Sequence, residues 1–195
     1  NSGTDWKDIN TGIYYDLNDV VLKSSNEGIA IVTNPLNGNK KEIWRGDFTT
    51  SPATWATLSI PAQSFNGLFP YDNSATAKAV AVGDNGRVER VIMGAFPYGM
   101  INISPAGAST INFTTSSTFL YPTNKLFVAV AGNSNTIYYT LNGNQSVPVW
   151  QSVTLTGFTL AGGEYIKSIV LQPFTNTSVL AGVVLLSNGK LYDIR

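Results

Sequence analysis

Tryptophan recurs along this chain at a spacing that points to internal duplication. Trp6, Trp55 and Trp150 each open a run of the same length: Trp-Lys-Asp-Ile, Trp-Ala-Thr-Leu and Trp-Gln-Ser-Val. The first pair lies 49 positions apart (55 − 6) and the second 95 (150 − 55), close to two such periods. The missing member falls near Met100, where Met-Ile-Asn-Ile has the same length and alternation. Apolar runs recur in the same phase: Gly28-Ile-Ala-Ile-Val, Lys78-Ala-Val-Ala-Val-Gly, Leu126-Phe-Val-Ala-Val-Ala and Leu180-Ala-Gly-Val-Val-Leu. Each leads through an Asn- or Gly-bearing turn into a further strand: Glu42-Ile-Trp-Arg, Val88-Glu-Arg-Val, Thr136-Ile-Tyr-Tyr and Lys190-Leu-Tyr-Asp. A fixed period of this size is the mark of a repeat architecture.

No stretch carries apolar residues at helical spacing over three turns, and Gly, Pro and Asn interrupt every candidate. β-branched runs bounded by turn formers occur throughout, as strands require. The expected fold is all-β, a small propeller of four blades of about 49 residues spanning 1–195 as one domain; a β-sandwich is the alternative. The blades fall at 19–60, 66–104, 117–155 and 166–195 plus 6–9. Blade one uses Asp19–Ser24, Gly28–Asn34, Lys41–Asp47 and Trp55–Ile60. Blade two has its inner strand within Asn66–Tyr71, then Ala77–Gly83, Arg87–Met93 and Met100–Ser104. Blade three uses Ser117–Tyr121, Leu126–Ala131, Thr136–Leu141 and Trp150–Leu155. Blade four uses Ile166–Leu171, Val179–Ser187 and Lys190–Ile194, completed by Trp6–Ile9, because joining the two ends reproduces the strand–turn–Trp pattern. Such closure leaves only short, protected sheet edges.

Composition narrows the chemistry. The 195 residues carry 12 basic and 12 acidic side chains, and the charged fraction of 12% is about half the usual share. This offers no electrostatic footprint for nucleic acid, and no apolar run is long enough to insert in a bilayer. With no Cys and no His, disulfides, thiolate or imidazole metal sites and His-based catalytic pairs are excluded. Asn, Ser, Thr and Gly take the surface role of Lys and Glu, which points to an extracellular or cell- or virion-surface setting.

The repeats resemble those of the BNR/Asp-box propeller group, including Ycf48-like and sortilin-like families. The resemblance rests on Ala79-Val-Ala-Val-Gly-Asp-Asn-Gly-Arg-Val, Thr140-Leu-Asn-Gly-Asn…Val-Trp150 and Leu185-Leu-Ser-Asn-Gly-Lys-Leu-Tyr192. Thr140, Asn142, Gly143 and Trp150 look like a degenerate Asp box, with Asn for Asp and a longer loop. That group spans sialidases, lectin-like modules, receptors and assembly factors, so it implies a fold and no particular activity.

Trp6, Trp55 and Trp150 are expected to pack between blades. Trp44, Tyr138 and Tyr192 share one repeat position with Glu89; Arg45, Tyr139 and Asp193 share the next with Arg90. Trp44, Arg45, Tyr138, Tyr139 and Tyr192 are the candidate ligand-binding residues, since amphipathic aromatics stack on sugar rings while keeping a wet edge. Four arginines (Arg45, Arg87, Arg90 and Arg195) are too few for a carboxylate-gripping cluster alongside an acid and a nucleophile. Asp5, Asp8, Asp16 and Asp19 crowd the N-terminus without calcium-loop spacing and read as solvated turn residues. Asn-x-Ser/Thr triplets stand at Asn102, Asn112, Asn144 and Asn176. The expectation is a non-enzymatic recognition or assembly module, with no cofactor, metal or catalytic residue, that binds a glycan or protein partner. The alternative is a structural subunit of a surface, filament or viral assembly that self-associates, with a glycosidase-like enzyme as the less favoured third reading.

Overall fold

In the computed structural model, the structure describes residues 15–50, 52–59, 64–72, 78–94, 98–121, 123–173 and 180–194. Among them run fifteen β-strands and a single turn of 3-10 helix at Pro35–Asn37. The strands form four antiparallel sheets, each built from neighbours in chain order. Sheet one is β1 (Leu17–Ser24), β2 (Glu27–Asn34), β3 (Lys40–Asp47) and β4 (Thr54–Ser59). Sheet two is β5 (Phe65–Asp72), β6 (Lys78–Gly83), β7 (Val88–Ile92) and β8 (Gly99–Asn102). Sheet three is β9 (Phe113–Leu120), β10 (Leu126–Gly132), β11 (Thr136–Thr140) and β12 (Gln151–Thr154). Sheet four has three strands among the described residues: β13 (Ile166–Pro173), β14 (Leu180–Leu186) and β15 (Leu191–Ile194). Every strand expected from the repeat within these residues overlaps one of the fifteen, while the completing strand Trp6–Ile9 lies outside them.

The sheets stack face to face in series, and strand alternation lets β6 and β10 each serve two interfaces. Along β6, Ala79 and Ala81 face sheet one and meet Ile29, Ile31 and Ile43. Val80 and Val82, one step along, face sheet three and meet Phe113, Leu126, Val128 and Val130. Along β10, Phe127, Ala129 and Ala131 turn to sheet four and meet Ile166, Ile169, Leu171 and Val184. These near-continuous apolar runs are the signature of strands buried on both faces.

The first strands of the sheets lie side by side in chain order, β1 by β5, β5 by β9 and β9 by β13. Their unpaired edges are tied by side chains. Leu68 N–H donates to Asp19 Oδ2 (2.8 Å). Asn66 Nδ2 donates to the Phe113 carbonyl (3.0 Å) and Thr114 Oγ1 to the Ile166 carbonyl (2.5 Å). Ser117 Oγ donates to the Leu171 carbonyl and accepts from Leu171 N–H (2.9 and 3.0 Å). This explains one departure from expectation. β9 starts at Phe113 rather than Ser117: Phe113-Thr-Thr-Ser-Ser lacks apolar alternation, but Thr114 and Ser117 use their hydroxyls on neighbouring backbone.

Candidate functional site

The third strands place the sequence-predicted residues, and register separates them into two sets. Trp44 pairs with Ala30, Tyr138 with Val130 and Tyr192 with Val184, and Glu89 fills the same position opposite Ala81. Glu89, Tyr138 and Tyr192 all face the preceding sheet. Arg45, Arg90 and Tyr139 pair with Ile29, Val80 and Ala129 and face the following one. The five candidates therefore spread over three sheets and both faces, and no single cleft gathers them.

Most of them serve packing. Tyr139 is buried, and its hydroxyl donates to Gln151 Oε1. Tyr192 lies on Phe158 with ring centroids 4.6 Å apart, beside the core between sheets three and four. Trp44 is half-buried, edge-on to Tyr15 at 5.9 Å, and its Nε1–H donates to Glu42 Oε2 (2.8 Å). Glu42 is itself buried, and its carboxylate also accepts from Asn34 and Asn37 side chains (3.1 and 2.7 Å). Arg45 pairs with Glu27 (2.7 Å), which also pairs with Lys23 (2.8 Å), and both cations lie against the Tyr98 ring of sheet two. Burial pushes the Glu27 carboxyl up, but hydrogen bonds from Lys23 and Arg45 outweigh it and hold it at about 2.

Tyr138 is different. It stands half-buried, edge-on to Phe113 at 6.0 Å, and lines a groove of about 310 Å³ with Ser104, Val147, Pro148 and Trp150. Trp150 is fixed there by an Nε1–H bond to the Ile103 carbonyl (2.7 Å), which bridges sheets two and three as its packing role requires. Val147 and Val149, on the loop before Trp150, are 81% and 70% exposed. The sequence reading passed over this Val-Pro-Val run, although three apolar residues in a loop of turn formers were its signal. Trp55 packs on Phe48 at 5.6 Å, and Trp6 lies outside the described residues.

A second concavity, of about 470 Å³, opens where β5, β9 and β13 begin, and all four sheets contribute to it: Lys41, Asn66, Asp84, Asn112, Thr114, Asn133, Tyr165 and Lys167. A backbone bond repeats around it. Thr33, Asp84, Asn133 and Ser187 N–H groups donate to the Asp16, Ser64, Asn112 and Tyr165 carbonyls at 2.9 to 3.2 Å. Sequence reasoning missed this cavity, because its residues follow second strands, precede first ones or stand second in them, with Lys41 from β3, and equivalent places in the repeat do not share a residue type.

Among the described residues no group of three or more Asp or Glu side chains is placed to hold a metal ion. Asp19 caps Val20 N–H and ties Leu68, while Asp5 and Asp8 lie outside the described residues. Of the triplet asparagines, Asn102 accepts from Ser104 N–H, Asn144 donates to the Asn124 carbonyl, Asn112 lines the second concavity and Asn176 lies outside. No protein-family model matches the chain, and no curated protein is significantly similar to it.

Proposed function

We propose that this chain is a non-enzymatic recognition domain of an extracellular surface, and that it binds a glycan in the groove between sheets two and three. One observation carries the reading: Tyr138 and Trp150, two rings with polar tips, line one open groove beside exposed apolar loop residues. A sugar ring laid on either face buries apolar area and keeps its hydroxyls in water. The fold that supports this reading is a four-bladed propeller similar to the Asp-box group, closed by Trp6–Ile9 pairing with β15. Serial interfaces, first strands side by side and a cavity lined from all four sheets fit radial stacking better than a two-sheet sandwich. Trp44, Arg45, Tyr139 and Tyr192 then act as the scaffold of the blades.

A glycan array followed by calorimetry tests the proposal. Tyr138→Ala and Val147→Asp should each weaken binding by roughly tenfold, the loss of about 1.4 kcal/mol of contact. Thermal melts taken alongside should show Val147→Asp to be as stable as the parent, since that side chain is exposed. Binding unchanged by both substitutions removes the groove from consideration.

The outward face of sheet four favours a second reading, a structural subunit whose partner is a second copy. Val170 and Leu191 are 69% and 68% exposed there, with Val183 between them. Concentration-dependent association abolished by Val170→Lys would support it.

A further inference from the structure

The geometry points to a second, independent binding site: the concavity at the start of the first strands takes the carboxylate of an acidic saccharide. Three features of its lining specify that ligand. The first is surplus positive charge. Lys41 comes from sheet one and Lys167 from sheet four, against the single carboxylate of Asp84, a formal balance of +1 (two minus one). Neither lysine forms an ion pair among the described residues. Both line the concavity, and the proposal assigns their ammonium groups to the ligand's carboxylate.

The second feature is a pair of oriented amides. Asn85 N–H donates to Asn112 Oδ1 (3.1 Å), and Asn112 N–H donates to Asn133 Oδ1 (2.8 Å). A backbone N–H can only donate, so these bonds fix which end of each amide is oxygen and leave both Nδ2 groups as donors. The third is a held acceptor. Asp84 Oδ1 accepts one Asn66 Nδ2 proton (2.8 Å), the other going to the Phe113 carbonyl, and in the proposal the second Asp84 oxygen accepts a ligand hydroxyl. Bare phosphate would meet that carboxylate without using it. A uronic acid uses the whole lining, with its carboxylate to the lysines and amides and its ring hydroxyls to Asp84 and Tyr165.

The repeat itself sets Lys167 apart. Asn66, Thr114 and Lys167 each stand second in their first strands. Asn66 and Thr114 use their polar groups on the first residue of the next sheet's first strand. Lys167 makes no such bond among the described residues and lines the cavity instead.

The experiment is titration of the full chain with digalacturonate and with a glucuronate-ended disaccharide, read by calorimetry and by amide NMR, with lactose and inorganic phosphate as controls. The uronates should bind, shift the Asn112 and Asn133 side-chain amides, and lose affinity roughly tenfold or more in Lys167→Gln and in Lys41→Gln. Both variants should melt with the parent, and Tyr138→Ala should leave this binding intact, which separates the two sites. Absence of uronate binding overturns the inference. So does equal binding of phosphate or lactose, or affinity that both Lys→Gln variants retain.

Discussion

Gly83 and Gly132 end β6 and β10 at the same place in their repeats, and each lies at a register shift against the first strand of its sheet or next to one. A Cβ built on Gly132 would overlap the Asn112 carbonyl, and one on Gly83 the Ser64 carbonyl. The close approach is what brings the repeating backbone bonds at Asn133 and Asp84 into range. Gly132→Ala should therefore cost about 3 kcal/mol or more, the upper end of overpacking penalties, and lower Tm by roughly 6–12 °C in a domain of this size. A melt within a degree of the parent would show that the strand end relaxes freely. This glycine pair was visible in the sequence as the close of two apolar runs, but its reason was not. The obstacle belongs to a carbonyl about twenty residues away.

Among elements, second and third strands were the most legible. Their apolar runs are stabilised by area removed from water on both faces, and that pattern is written locally in residues such as Ala79–Val82 and Phe127–Ala131. First strands were the least legible. Thr114, Ser117 and Asp19 look like turn residues, and only the neighbouring strand supplies the backbone groups they satisfy. The candidate site suffered for the same reason. Repeat position identified Tyr138 and Tyr192 as equivalents, yet one lines a groove and the other is covered by Phe158, a residue outside the repeat pattern. The turn between β1 and β2 carries its own prediction. The Glu27 carboxyl lies near 2 in the folded chain against an ordinary 4.5, so its contribution is present above about pH 4.5 and is lost as pH falls toward 2. Because the pair is partly solvated, about 1–3 kcal/mol is at stake. Urea unfolding at pH 7 and pH 3 should show a smaller difference in Glu27→Gln than in the parent.

At the scale of the whole molecule, sheets two and three are packed on both faces, while sheet four turns Val170 and Leu191 to solvent. Sheet four also has one strand fewer among the described residues, and the proposed closure would add Trp6–Ile9 at its β15 edge. Removing the first nine residues should lower Tm and promote aggregation through that edge; a truncated chain that melts and sediments like the parent would contradict closure.

The side-chain ties between first strands also bear on how the molecule comes apart. Asp19, Asn66, Thr114 and Ser117 fasten three successive joints, whereas no such fastening joins β13 to β1 among the described residues. In the propeller proposed above, a joint without such ties opens first, and fraying spreads inward from it by nearest-neighbour steps. Native-state hydrogen exchange should accordingly rank the amides of β6 and β10 slowest, with β14 and β2 exchanging through a lower-energy opening. The molecule would then have a built-in parting line between its last sheet and its first.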